Sequence, residues 1–212
     1  MKTCNENCQT HNTMTLIGKG QVTALPDIAI VRLGVQTNGT SLTELQQENA
    51  ELSQAILQAL RQMGVTDIKT DQYTIDRVYD YDEGVRVDRG YSVRNIFEIT
   101  LSDMSMVGPV IDTAVNYGAN LVEFISFEIS NTDFYYQQAL NLAILNAFEK
   151  AKSIAENSLQ THMDPKPIQI TENSTQPIPF RQYNTAREGS YTTPVEPGKK
   201  QIEASVTVEF VY

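Results

Sequence analysis

The sequence predicts an α+β protein of two small units, with mostly antiparallel sheets and helices on one side of them. Three observations carry this. Stretches of period-2 alternation follow one another directly, at residues 14–24 and 28–37 and again at 68–81 and 86–101. Three longer stretches with apolar residues at three- and four-residue steps lie between strands. The content of 41% hydrophobic and 20% charged residues is that of a globular chain, and 212 residues are enough for one large domain or two small ones.

Residues 14–24 read as a strand with Leu16, Val22 and Ala24 on the same face as Gly18 and Gly20. No helix follows this Gly-x-Gly, so it lacks the strand, glycine turn and helix N-terminus of a phosphate loop. Glycines inside a strand instead mark a bulge or a close backbone approach. Pro26 then interrupts the ladder, because it has no N–H to donate. Residues 28–37 form a second strand, with Ala29, Val31, Leu33 and Val35 pointing one way, and Asn38-Gly39 is a turn signal. Residues 41–63 are a helix with Leu42, Leu45, Leu52, Ile56, Ala59 and Met63 on its buried face. Ser41 and Glu44 have capping-box spacing, Asn49 sits on the apolar face, and Gly64 ends the helix.

Residues 68–81 are a third strand, with Tyr73, Ile75, Tyr79 and Tyr81 on one face and Arg77 among them. Tyrosines of this kind cover a sheet while keeping a wet hydroxyl. The acidic turn 80–84 leads into residues 86–101, where Val85, Val87, Tyr91, Val93, Phe97, Ile99 and Leu101 share one parity. This strand exceeds the usual ~5–6 residues. It is expected to bend at Gly90 and to be the seam between the two units. A helix over 102–117, a strand over 121–130 and a long alanine-rich helix from 131 to about 159 follow, with Leu140, Ala143, Ile144, Ala147, Ala151, Ile154 and Ala155 as the last helix's apolar face. Residues 168–172 are a short strand. Residues 173–200 have no period and contain Pro177, Pro179, Pro194 and Pro197. A loop of that length is functional, an oligomer arm or partly disordered. Residues 202–210 close a sheet. The expected division is a flexible tail at 1–13, a first α+β unit at 14–90 and a second, ferredoxin-like unit at 91–212.

The formal net charge of −10 disfavours nucleic acid and anionic membrane surfaces as partners, since both select basic proteins. No apolar run approaches the ~20 residues of a membrane span, so no membrane insertion is expected. Residues 1–13 are polar and contain no apolar signal core. That predicts a cytoplasmic protein, or a cell-envelope or periplasmic one whose leader has been removed. Cys4, Cys8 and His11 lack zinc spacing and a fourth ligand, so no metal and no cofactor is expected.

Candidate chemistry is thin. The two histidines are His11 and His162, which rules out assembling a Ser/His/Asp or Cys/His set. Acid–base work would fall to Asp71, Asp76, Asp80 or Asp82, and Asp80, Asp82 and Glu83 could hold a hard cation, although a solvated hairpin tip is the simpler reading. Arg86, Arg89 and Arg94 are a candidate basic stripe meeting an acidic patch on a neighbouring subunit.

Gly18-Lys19-Gly20 with Ala24-Leu25-Pro26-Asp27 and Ala29, Gly90-Tyr91 with Asn95, Tyr117-Gly118-Ala119-Asn120, Gln138-Ala139-Leu140 with Ala143 and Lys150-Ala151, and Pro194-Val195-Glu196-Pro197-Gly198 occur in this order. In them the chain resembles the SIMPL-domain, YggE-like family, related to periplasmic immunogenic proteins. The resemblance covers nearly the whole chain. It implies a two-part α+β fold, no established enzymatic activity, links to oxidative stress, and ring- or channel-like homo-oligomers. The expectation is therefore a non-enzymatic homo-oligomer, linked to stress response or cell-envelope organisation, whose partner is itself. The alternative is a small-molecule, peptide or cation-binding module, including one that accepts a strand at a free sheet edge.

Overall fold

A computed structural model of the chain describes residues 12–157, 164–173 and 195–212. Its elements are β1 (Thr13–Ala24), β2 (Ile28–Gly39), α1 (Leu42–Gln62), β3 (Ile68–Asp82), β4 (Val85–Leu101), a 3-10 turn (Met104–Met106), α2 (Val107–Asn116), β5 (Leu121–Glu128), α3 (Thr132–Asn157), β6 (Lys166–Glu172) and β7 (Lys200–Val211). All neighbouring strands run antiparallel, in one sheet of order β1-β7-β6 and another of order β3-β4-β2-β5. The α+β class read from the periodicity is therefore the class observed.

The sheets divide the chain differently from the expected 14–90 and 91–212. One compact unit comprises the described residues of Met1–Ala24, Asn131–Gln182 and Lys199–Tyr212, and the other those of Leu25–Ser130 and Tyr183–Gly198. All 17 residues of β4 belong to the second, so the long strand is not a seam. Residues 91–212 contribute to both sheets and do not form the expected ferredoxin-like plait. The β-α-β-β-α-β order that such a plait requires lies instead within β2-α1-β3-β4-α2-β5. Alternation announces a strand but not its neighbour. Nothing local to β1 says that Thr13 will lie opposite Val211.

In the unit around the four-stranded sheet, Ala29, Val31, Leu33 and Val35 of β2 and Phe97, Ile99 and Leu101 of β4 face Ile56 and Leu60 of α1 and Val107, Val110, Ile111 and Ala114 of α2. Val195, at the end of the long loop, packs against this core; residues 174–194 lie outside the described part. Ser41 occupies the α1 N-cap position with extended backbone, but its side chain makes no capping bond, so the expected capping box is not formed. Asn49 is buried on α1, and its amide donates to the Val35 and Val93 carbonyl oxygens at 3.2 and 3.1 Å. Asn49, buried beside Ser53 on the apolar face, is thus a clasp onto two strands.

In the unit around the three-stranded sheet, α3 crosses β1 at very short range. A Cβ on Gly18 would lie 2.0 Å from the Ala143 carbonyl oxygen, and one on Gly20 2.0 Å from that of Ala139. Only glycine permits this approach. The buried stripe of α3 is accordingly the four-residue series Ala139, Ala143, Ala147, Ala151 and Ala155, while Leu142 and Leu145 are exposed. Of the expected apolar face, the alanines are fully buried and Leu140, Ile144 and Ile154 half-buried at its flanks, because the strand admits only small side chains at the closest approach. Phe148 meets Phe210 of β7 edge to face, with ring centroids 5.2 Å apart.

Candidate interaction surface

The face of the four-stranded sheet opposite its helices carries a network of charges. Arg32 lies opposite Glu98, and Glu98 opposite Lys69, across three strands. Glu98 accepts from Arg32 and Lys69, each at 2.8 Å, and Arg32 also pairs with Asp71 at 3.2 Å and sits over the Phe124 ring at 4.8 Å. Arg94 pairs with Glu123 on the same face. Two register shifts explain the arrangement. Asp71 is the extra residue between Thr70 and Gln72 in β3, and Glu123 is the extra residue between Val122 and Phe124 in β5. Each bulge turns one carboxylate towards an arginine.

Glu98 is nearly buried, and hydrogen bonds from Lys69 and then Arg32 hold its carboxyl below the ordinary value near 4.5. The same contacts with Glu98 raise Lys69 and Arg32. A carboxylate locked in its charged form by two cations is a poor proton acceptor at neutral pH. This network ties strands together and does not resemble an acid–base site.

Beyond the sheet, β3 and β4 continue as a two-stranded ribbon. β2 pairs with β4 only as far as Tyr91, so Val78–Gly90 has no third strand. The ribbon closes through Glu83 and Gly84, with φ of 48° and 83°, as a two-residue type I′ turn demands. At its base Gly90 has φ 96°, and a Cβ there would lie 2.2 Å from the Gly39 carbonyl oxygen. Arg89 beside it is unmatched in the register. The bend expected at Gly90 is therefore a bulge, and it breaks the single parity of residues 85–101: Val85 and Val87 lie on the opposite face from Tyr91 and Val93. Tyr79, Tyr81 and Val85 are all exposed, Tyr81 by 71%. Arg86 covers the Tyr79 ring at 3.5 Å, and Arg77 donates to the Tyr91 hydroxyl at 2.9 Å. Hydrogen bonds from Arg77 and then Arg86 hold the Tyr79 phenol below its usual range.

The structure does not bring Arg86, Arg89 and Arg94 into one stripe. Arg86 stacks on Tyr79, Arg89 pairs with Asp80 at 3.3 Å on the other face of the ribbon, and Arg94 pairs with Glu123 in the sheet. Of the acidic candidates, Asp71 belongs to Arg32 and Asp80 to Arg89. No group of three or more His, Cys, Asp or Glu side chains suited to a metal occurs among the described residues. Cys4, Cys8, His11 and His162 lie outside them.

The quoted motifs hold backbone together. Asn120 pairs its side-chain amide with both backbone groups of Gln36, at 2.8 Å each, and so extends the β2–β5 ladder past the end of β5. The Asp27 carboxylate accepts from the Ser130 N–H and hydroxyl, which joins the two ends of the segment Leu25–Ser130 and holds Asp27 below its ordinary value. Lys150 donates to the Ile17 carbonyl oxygen at 2.8 Å, and Asn146 accepts from the Lys19 N–H at 3.2 Å. Asn95, beside the bulge-bearing half of β4, donates to Ser53 of α1 at 3.0 Å.

The described residues thus form an antiparallel α+β protein whose quoted side chains bond mainly to backbone. Residues 14–210 match the family model SIMPL, described as a protein of unknown function (DUF541), and the chain belongs to that family. It is 26% identical over 210 residues to the 26 kDa periplasmic immunogenic protein of Brucella melitensis, covering 93% of this chain and 83% of that protein. It is 28% identical over 140 residues to the uncharacterized protein YggE of Escherichia coli K12, covering 65% of this chain and 57% of the relative. A YggE of Edwardsiella ictaluri is 22% identical over 201 residues. No described helix is long and apolar enough to cross a membrane.

Proposed function

We propose that this chain is a non-enzymatic assembly protein of the cell envelope that works as a homo-oligomer. The observation that carries the reading is the ribbon of β3 and β4. An isolated two-stranded ribbon is marginal in water, and here it presents Tyr81 and Val85 to solvent, 71% and 66% exposed. A chain that invests in such an arm has a surface waiting for it. The non-enzymatic part is supported by Glu98, Asp71 and Asp80, whose carboxylates are each engaged by a cation. The envelope placement is supported by the relative named as periplasmic, which aligns over most of the chain.

Size-exclusion chromatography with light scattering on the whole chain tests the assembly. A mass of two or more times 23.7 kDa at micromolar concentration is the expected result, and a strict monomer overturns it. Fractionation of source cells tests the placement: recovery with the envelope supports it, and recovery in the cytosol alone removes it.

A further inference from the structure

We infer that two copies of the chain join edge to edge through β3, about a two-fold axis that passes at Ile75 and runs normal to the sheet. The inference rests on the homo-oligomer reading above and names its contact. It starts from which backbone groups are free. Gln36 gives its N–H and C=O to Asn120 on the β5 side. Backbone groups alternate in direction along a strand, so Val35 and Thr37 face β4. Their partners Asn95 and Val93 then face β2, and Arg94 and Ser92 face β3. Thr74 and Asp76, opposite Arg94 and Ser92, point inward. The N–H and C=O of Tyr73, Ile75 and Arg77 therefore point away from the sheet, and among the described residues nothing bonds them.

The other edges are guarded. On β1, Lys150 takes the Ile17 carbonyl and Asn146 the Lys19 N–H. β6 is short and carries Lys166, Pro167 and a register shift, and β5 carries the Glu123 bulge. Lysine, proline and bulges are the usual means of blocking an edge. In β3 the seven residues Gln72–Val78 lie between the two register shifts and contain no lysine, proline or glycine. They hold one Asp and one Arg in a chain of formal charge −10, so this segment carries no net charge to repel a second acidic copy. Tyr73 and Ile75 are exposed by 50% and 38%, because α1 lies over β2 and β4.

Self-complementarity fixes the register. A two-fold axis normal to the sheet keeps each face in place, so residues of equal parity meet. Centred on Asp76, it opposes the two Asp76 carboxylates; centred on Arg77, the two guanidinium groups; centred on Val78, Asp76 meets Asp80. Centred on Thr74, the pairing runs into the Asp71 bulge after five residues, Gln72–Asp76. Centred on Ile75, all seven residues pair. Ile75 meets Ile75 of the second copy, Thr74 meets Asp76, Tyr73 meets Arg77 and Gln72 meets Val78, with no like charges opposed. Apolar and aromatic pairs of this kind are what stabilise adjacent strands.

The test uses the whole chain with Cys4→Ser and Cys8→Ser. In that background Ile75→Cys places two thiols on the axis in a narrow pair, with Cα atoms ~5.5 Å apart and within disulfide range. Mild oxidation is expected to give a covalent dimer. Gln72→Cys, equally accessible but off the axis, is expected to give none. Ile75→Lys sets two ammonium groups against each other and is expected to halve the mass seen by light scattering, with an unchanged circular dichroism spectrum. Ile75→Pro removes only an outward N–H, which an edge strand tolerates, and is expected to do the same. A monomeric parent protein overturns the homo-oligomer reading and this inference with it. A parent oligomer whose mass survives Ile75→Lys and Ile75→Pro, and which forms no Ile75→Cys dimer, overturns this inference alone. A monomer whose β3 edge binds an added peptide likewise overturns it.

Discussion

At Gly18 and Gly20 a single hydrogen atom in place of a side chain decides how an entire helix sits. With the Ala143 carbonyl oxygen 2.0 Å from where a Cβ would stand on Gly18, Gly18→Ala forces α3 away from β1. The expected loss is ~1–3 kcal/mol, seen in thermal or denaturant unfolding. Asn120→Ala removes two hydrogen bonds that substitute for a strand residue and is expected to lose ~1–2 kcal/mol by the same measurement. Glu98 links stability to pH. Its folded pKa is depressed, so the unfolded chain binds the proton more readily. Its contribution is complete above about pH 4.5 and falls as pH drops through the folded value. Glu98→Gln is expected to be less stable at pH 7 and to show a flatter fall in urea midpoint below pH 4.5. An unchanged slope would assign the acid sensitivity elsewhere.

The scale of the element is where β4 acquires its meaning. It is one strand by pairing but two by surroundings: Tyr91–Leu101 lies between β2 and β3, and Val85–Gly90 has β3 alone. Shortening the ribbon by replacing residues 79–88 with Asn-Gly is expected to change the unfolding midpoint little, because nearly all the removed side chains are exposed. Assembly is expected to weaken, as read by light scattering. By contrast Gly90→Ala meets both positive φ and the Gly39 carbonyl and is expected to lose ~1–3 kcal/mol. The long helix α3 gives the complementary lesson. The alanines 143, 147, 151 and 155 expected on its apolar face are the buried ones, with Ala139 added, while Leu142 and Leu145 are exposed.

For the molecule as a whole, belonging to the SIMPL family establishes kinship without an activity. The structure adds a physical basis for several of the quoted motifs: Gly18 and Gly20 allow a close backbone approach, and Asn120 extends a ladder. The proposed assembly would account together for the exposed ribbon and the unguarded β3 edge. The charged face of the four-stranded sheet adds rigidity: Arg32, Glu98, Lys69 and Asp71 link three neighbouring strands by side chains as well as by the ladder.

The sequence by itself determined most strands and helices, the α+β class, and that Gly18, Gly20 and Gly90 mark irregular or close-packed backbone. These follow from local rules, since alternation, apolar spacing and glycine placement act over a few residues. Only the tertiary structure decided that β1 belongs with β6 and β7, that β4 lies wholly in one sheet, and that Asn49 clasps two strands. It also separated Arg86 and Arg94, which share a face only when strand parity is counted without the bulge at Arg89. Strand pairing depends on contacts between residues far apart in the chain, such as Thr13 with Val211. A one-residue bulge reverses every side chain after it. Neither leaves a mark in a short window of sequence.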